Sequence, residues 1–278
     1  MMSLPQRHRP AAQTFAVNAA TSLHGHLRFA WRAALLCVHV AYGLLLALAI
    51  RLNAAQRVRA ERLAQQWSTR LLRILGLRLR VHGVPIDGGG LIVANHVSWL
   101  DIPVLSACLP IRFVSKSEVR QWPVAGWLAD AAGTFYIRRG KGGSRPLLNR
   151  MAPYLGGGGV AVVFPEGTTT TGQEVLSFHP RLFAAAIESR TSVQAVALRY
   201  GRGDRGAELA PFVGDDDLVS HLLRLLRNAS GLSVELHFCP RVAAADRSRE
   251  ELALQAHAAV SQVLDPAPNR AALGTAGP

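Results

Sequence analysis

From residue 77 onward short apolar runs alternate with helix-length stretches, and that rhythm limits the fold more than any other feature of the chain. Runs at 77–84, 90–95, 111–115, 134–138, 160–164, 193–199 and 233–238 predict strands. Between several of them, 119–131, 145–155 and 180–189 predict helices. The alternation implies an α/β fold, a mixed sheet of about seven strands flanked by helices. In open sheets of this class ligands collect at the carboxyl ends of strands. The residues that end each run are therefore the first candidates for chemistry.

Ahead of the sheet region, Ala33 to Ile50 runs without a charge between Arg32 and Arg51. That length sits at the lower edge of a membrane-spanning helix and exceeds an ordinary signal-peptide core. A buried core helix fits the same length. With arginine at both ends, charge asymmetry does not orient the segment. Residues 54–75 follow with Val58, Leu63, Trp67, Leu71 and Ile74 at three- and four-residue steps, accompanied by Arg57, Arg59, Arg62, Arg70 and Arg73. An arginine-rich amphipathic helix suits a headgroup interface, or the surface of the domain it precedes. The organisation expected is a mobile terminus over 1–27, membrane-associated helices over 28–76, one domain over 77–264, and a disordered Pro/Gly/Ala-rich tail over 265–278.

The formal net charge is +13, and Lys116 and Lys141 are the only lysines. Such a balance points to a polyanionic partner, either nucleic acid or an anionic membrane surface. A nucleic-acid binder should cluster its arginines and interleave aromatics. Here aromatics are 6% of residues and the arginines spread from Arg7 to Arg270, which disfavours that class. Three distant cysteines, Cys37, Cys108 and Cys239, match neither a disulfide framework nor a zinc spacing. No metal site is expected.

The spacing His-x4-Asp occurs twice, as His82/Asp87 and as His96/Asp101. The first copy lies among Gly83, Pro85 and Gly88–Gly90, a turn with nothing to hold the carboxylate in register. The second ends a strand and opens a helix-forming segment, SWLDIPVLSACL, with Ser98 as the expected N-cap. A strand-to-helix turn folds the Asp101 carboxylate back on the imidazole and leaves the other ring nitrogen free as a base. Two further strand ends carry polar groups: GTFYIRRG ends in Arg138 and Arg139, a fork suited to phosphate, and VAVVFPEGTTTTG ends in Glu166, Gly167 and Thr168. The glycine-rich GRGDRG, 201–206, lacks the following helix of a dinucleotide site.

These three ordered motifs, NHVSWLD, GTFYIRR and FPEGT, resemble those of the glycerolipid (lysophospholipid) acyltransferases, which include the bacterial 1-acyl-sn-glycerol-3-phosphate acyltransferases. The resemblance covers roughly residues 77–240 and, more loosely, the N-terminal helices. It implies His96 as general base and Asp101 as its orienting partner. It also implies substrate contacts from Asn95, Lys116, Arg138, Arg139, Glu166, Gly167 and Thr168, with Arg139 foremost on an acceptor phosphate. The reaction implied moves an acyl group from acyl-CoA or acyl carrier protein to the hydroxyl of a lysolipid, 1-acyl-sn-glycerol-3-phosphate first, with no cofactor and no metal. The same resemblance implies an inner-membrane enzyme whose catalytic domain faces the cytoplasm, with membrane lipids as partners. One departure bears on the acceptor. Family members usually read Glu-Gly-Thr-Arg-Ser, and Thr169 stands at the arginine position. The loss of that cation brings lyso-ornithine lipid, or another lysophospholipid, forward as the alternative acceptor.

Overall fold

A computed structural model describes residues 11–52, 60–138, 144–201, 206–228 and 232–265. Two helices come first, α1 (Ala11–Leu52) and α2 (Ala60–Leu75), then β1 (Arg78–His82) and β2 (Gly90–Ala94). There follow α3 (Asp101–Cys108), β3 (Arg112–Lys116), a 3-10 turn (Ser117–Gln121), α4 (Ala125–Ala131) and β4 (Phe135–Ile137). Next come α5 (Ser144–Gly156), β5 (Val160–Val163), a second 3-10 turn (Pro180–Phe183), α6 (Ala184–Glu188) and β6 (Ser192–Tyr200). The chain closes with α7 (Gly206–Leu209), α8 (Leu218–Asn228), β7 (Ser233–Ala243) and α9 (Arg249–Leu264).

The seven strands form one sheet in the order β1-β7-β6-β2-β5-β3-β4. Strands β2 to β6 run parallel, and β7 pairs antiparallel with β6 and parallel with β1. A parallel strand covered on both faces reads as continuous apolar sequence, which is why GLIVA and VAVV lack alternation. Ile92 and Ala94 face one core with Leu71, Leu75, Val104 and Leu225; Leu91 and Val93 face the other with Met151, Leu155, Phe183 and Val260. Strands β2 and β5 therefore bury both their faces.

Four expected elements differ in detail. The segment 119–131 is broken into the first 3-10 turn and α4, because Pro123 denies its predecessor helical geometry and Val124 adopts φ 63°. The segment 180–189 likewise starts as a 3-10 turn at Pro180 before α6. Helix α1 begins at Ala11 rather than after residue 27, and α3 begins at Asp101 with Leu100 at its N-cap, not Ser98. The tail beyond 265 and the glycine-rich 202–205 lie outside the described residues.

Helix α1 has two different faces. Leu36, His39, Gly43 and Ala47 point inward against α2 and α4 and are buried. The opposite stripe, Trp31, Val38, Leu45 and Leu52, recurs every seven residues and is 65–78% exposed. Residues 25–52 form a helix long and apolar enough to cross a membrane. His39, costly in an apolar setting, is sheltered on the inner face: its Nε2 meets the Trp67 carbonyl at 3.0 Å. The Trp67 indole N–H in turn donates to the His39 carbonyl at 3.1 Å, with the rings stacked at 4.7 Å.

Candidate active site

Strand β2 delivers Asn95 and His96 to the carboxyl edge of the sheet, beside the ends of β5, β3 and β4. Those neighbouring ends supply Phe164–Thr168, Lys116 and Arg138. Lys116 pairs in register with Ile137, which places it next to the start of the arginine pair. The three motifs thus meet at one edge, as parallel strands require. Arg139 lies outside the described residues.

The turn from β2 into α3 brings the His96 Nδ1 to 2.7 Å from the Asp101 Oδ2. That oxygen also accepts the backbone N–H groups of Val97 at 2.7 Å and Ser98 at 3.0 Å. The other oxygen accepts the Tyr200 hydroxyl at 2.7 Å. Asp101 has no exposed side-chain surface, and a carboxylate carries about four acceptor sites, so its donors match its capacity. Held on Nδ1, the imidazole turns Nε2 outward, and 19% of its side chain remains exposed. Phe164 stacks on the ring at 3.9 Å between centroids and backs it with an apolar wall. The ring is thereby fixed in plane and in tautomer, the geometry a general base needs.

Two residues expected to touch substrate are turned inward instead. Asn95 is buried, its amide nitrogen donating to the Leu198 carbonyl at 3.0 Å and its oxygen accepting the Leu198 N–H at 2.7 Å. It continues the pairing of β2 with β6 past the strand end and sets the height of His96. Glu166 is also buried, its oxygens accepting the N–H groups of His96 at 2.7 Å and Leu176 at 2.9 Å. Burial pushes its carboxyl above the usual range, while those N–H donors pull the other way. Both residues brace the catalytic turn. Gly167 takes φ +72°, a left-handed conformation that suits glycine, and leaves Thr168 exposed at the rim. Arg138 is exposed on the same rim.

Two further contributors were missed in the reading of the motifs. Tyr200 ends β6 with its hydroxyl on Asp101, and burial drives its ionisation well above the usual tyrosine range. A tyrosine closing an otherwise apolar core strand was the available signal, since a buried hydroxyl needs a partner. His221, on α8, accepts the Trp99 indole N–H at 2.9 Å on Nδ1, while its Nε2 meets the Leu209 carbonyl at 3.0 Å. The adjoining strap is tied to the site as well: the Phe212 N–H donates to the Val97 carbonyl, and the Thr169 hydroxyl donates to the Phe212 carbonyl.

The first His-x4-Asp copy separates. His82 stacks on His237 at 4.3 Å, while Asp87 pairs with Arg241. His82, Glu235 and His237 lie close enough to suggest a cation site. The two imidazole planes are 11° from parallel, however, so their in-plane lone pairs do not converge. Glu235 already faces Arg80 at 3.7 Å and Arg199 at 4.0 Å.

An imidazole oriented by a buried carboxylate, its ring bonded to no serine or cysteine side chain among the described residues, fits an enzyme that activates the hydroxyl of a bound acceptor. Comparison with known proteins places that chemistry: the Acyltransferase family profile matches residues 78–199. The lyso-ornithine lipid O-acyltransferase of Pseudomonas aeruginosa is 47% identical over 78% of this chain and 81% of its own length. The chain belongs to the acyltransferase family. The 1-acyl-sn-glycerol-3-phosphate acyltransferase of Neisseria gonorrhoeae is 36% identical over 59% of this chain and 63% of its own length. The fold matches the 1-acyl-sn-glycerophosphate acyltransferase PlsC from Thermotoga maritima, with a TM-score of 0.64 and 21% identity over 90% of this chain and 98% of that one.

Proposed function

We propose that this acyltransferase transfers a fatty acyl group from a thioester donor to the free hydroxyl of lyso-ornithine lipid. The observation that carries the reading is the 47% identity to a lyso-ornithine lipid O-acyltransferase over 81% of that protein. Thr169 supports it. Where relatives that act on a phosphate place a cation, this chain has a short hydroxyl engaged on the Phe212 carbonyl. A charge-assisted hydrogen bond to phosphate contributes roughly 1.5–3 kcal/mol, so its absence weakens recognition of a phosphomonoester by about 10-fold or more.

His96 Nε2 takes the acceptor hydroxyl proton as the oxygen attacks the thioester carbonyl. Asp101 stabilises the imidazolium that forms, and the proton then passes to the departing thiolate. Acyl-CoA or acyl carrier protein serves as donor. Thr168, Arg138 and Lys116 serve the polar head of the acceptor at the rim, and Arg139 is assigned the same role from its place in the motif. The exposed apolar stripe of α1 lies in the bilayer of the inner membrane, and the catalytic domain sits on its cytoplasmic face, where thioesters are made.

The test is kcat/KM for purified protein on lyso-ornithine lipid and on 1-acyl-sn-glycerol-3-phosphate, with each thioester donor. The expected result is a preference of at least about 10-fold for the ornithine lipid. A preference for 1-acyl-sn-glycerol-3-phosphate, the acceptor named for the Neisseria relative, sinks the proposal.

A further inference from the structure

A cavity of about 670 Å3 opens between α1, α4, α5 and the β3–β4 edge. Arg112 begins β3 and Thr134 precedes β4, so this cavity lies toward the amino ends of those strands, whereas His96 follows the carboxyl end of β2. It is separate from the site described above. Four guanidinium groups line it: Arg51, Arg112, Arg120 and Arg150.

Two of them are neutralised. Arg112 pairs with Glu61 at 2.6 Å and Arg120 with Asp130 at 3.2 Å. Arg51 and Arg150 have no carboxylate partner among the described residues. Each lies over an aromatic ring instead, Arg51 over Trp127 at 6.0 Å and Arg150 over Phe135 at 5.8 Å. Such stacking orients a guanidinium without satisfying its N–H donors, so two forks are presented to a concave, positive space. That arrangement concentrates anions, and the guanidinium fork matches phosphate oxygens.

Position selects the source of the anion. Arg51 sits in the last turn of α1, where the apolar helix ends. Beside it Trp127 is more than half exposed, and Trp122 and Val124 are exposed on the adjoining loop. Exposed tryptophans next to arginine at the end of an apolar helix mark headgroup depth. We infer that this cavity binds the phosphate of an anionic phospholipid through Arg51 and Arg150, docking the α4–α5 face of the catalytic domain on the bilayer. The inference rests on α1 lying in lipid and is independent of which lysolipid is acylated.

The experiment follows thermal unfolding of the full-length protein in dodecyl maltoside. Dioctanoylphosphatidylglycerol, dioctanoylphosphatidylcholine and inorganic phosphate are titrated separately. Phosphatidylglycerol is expected to raise the midpoint saturably, and neither the zwitterionic lipid nor inorganic phosphate at equal concentration should do so. The double variant Arg51→Gln/Arg150→Gln should need about 10-fold more phosphatidylglycerol for half the shift, while its acyl transfer in micelles free of that lipid stays at the wild-type rate. An equal shift from inorganic phosphate makes this a soluble-anion site and overturns the lipid assignment. A phosphatidylglycerol shift that survives the double substitution, or no shift in the wild type, overturns the site itself. Failure of α1 to hold the protein in membranes would show separately, on fractionation.

Discussion

Asp101 receives four donors, from His96, Val97, Ser98 and Tyr200, and only one of them belongs to the reacting pair. The carboxylate therefore organises the turn that carries His96 as well as the ring itself. His96→Ala is expected to abolish acyl transfer while the protein still folds, whereas His82→Ala should retain wild-type turnover, because His82 stacks on His237 away from Asp87. Near-normal turnover in His96→Ala overturns the assignment. Tyr200→Phe removes one donor from a buried carboxylate, a change that costs about 1–3 kcal/mol. Its effect should appear as a lower thermal midpoint together with a reduced kcat, the KM for acceptor staying unchanged, since Tyr200 is buried away from the rim. A raised KM with unchanged kcat would place Tyr200 on the substrate instead.

At the scale of elements, α8 reaches the catalytic turn through one neutral histidine. His221 is buried, and that burial lowers its affinity for a proton, with Arg224 adding to the effect. Its Nδ1 must stay unprotonated to accept the Trp99 N–H. The unfolded chain takes up this proton near pH 6.5, the folded protein only at lower pH, so the stability tied to His221 is full above about pH 6.5 and falls as the pH drops below it. His221→Asn should therefore show a stability deficit that shrinks between pH 7 and pH 5, read from thermal midpoints across that range. A constant deficit would refute the assignment. Elements were the most legible level of this chain. All seven strands could be read, the central β2 and β5 most directly because their apolar runs are buried, and the break at Pro123 has a local steric cause. What could not be read was side-chain direction. Asn95 and Glu166 stand beside His96 in the motifs, yet both turn inward onto backbone groups more than sixty residues away in sequence. Tyr200 meets Asp101 across a separation of 99 residues, which only the sheet order makes short.

For the whole molecule, the question left open by the uncharged run was whether it lies in lipid or in the core. Helix α1 has one face suited to each: Leu36, His39 and Ala47 packed inward, Trp31, Val38, Leu45 and Leu52 outward. The +13 charge adds an electrostatic attraction that salt screens, while burial of the outward stripe is not screened. The protein should therefore stay with the membrane fraction in 1 M salt and leave only with detergent. Release by salt alone would mean that the arginines, not α1, provide the attachment.

The reciprocal tie between His39 and Trp67 reaches further than packing. A shortened protein lacking everything through Leu52, the usual route to a water-soluble catalytic fragment, would strip the indole N–H of its acceptor. It would also bare the seam of α2 and α4 against which Gly43 lets the two helices close, since even a Cβ there would come within 2.6 Å of the Trp67 ring. Leader and domain are in this sense one folding unit, and separating them would trade a membrane protein for an aggregating one.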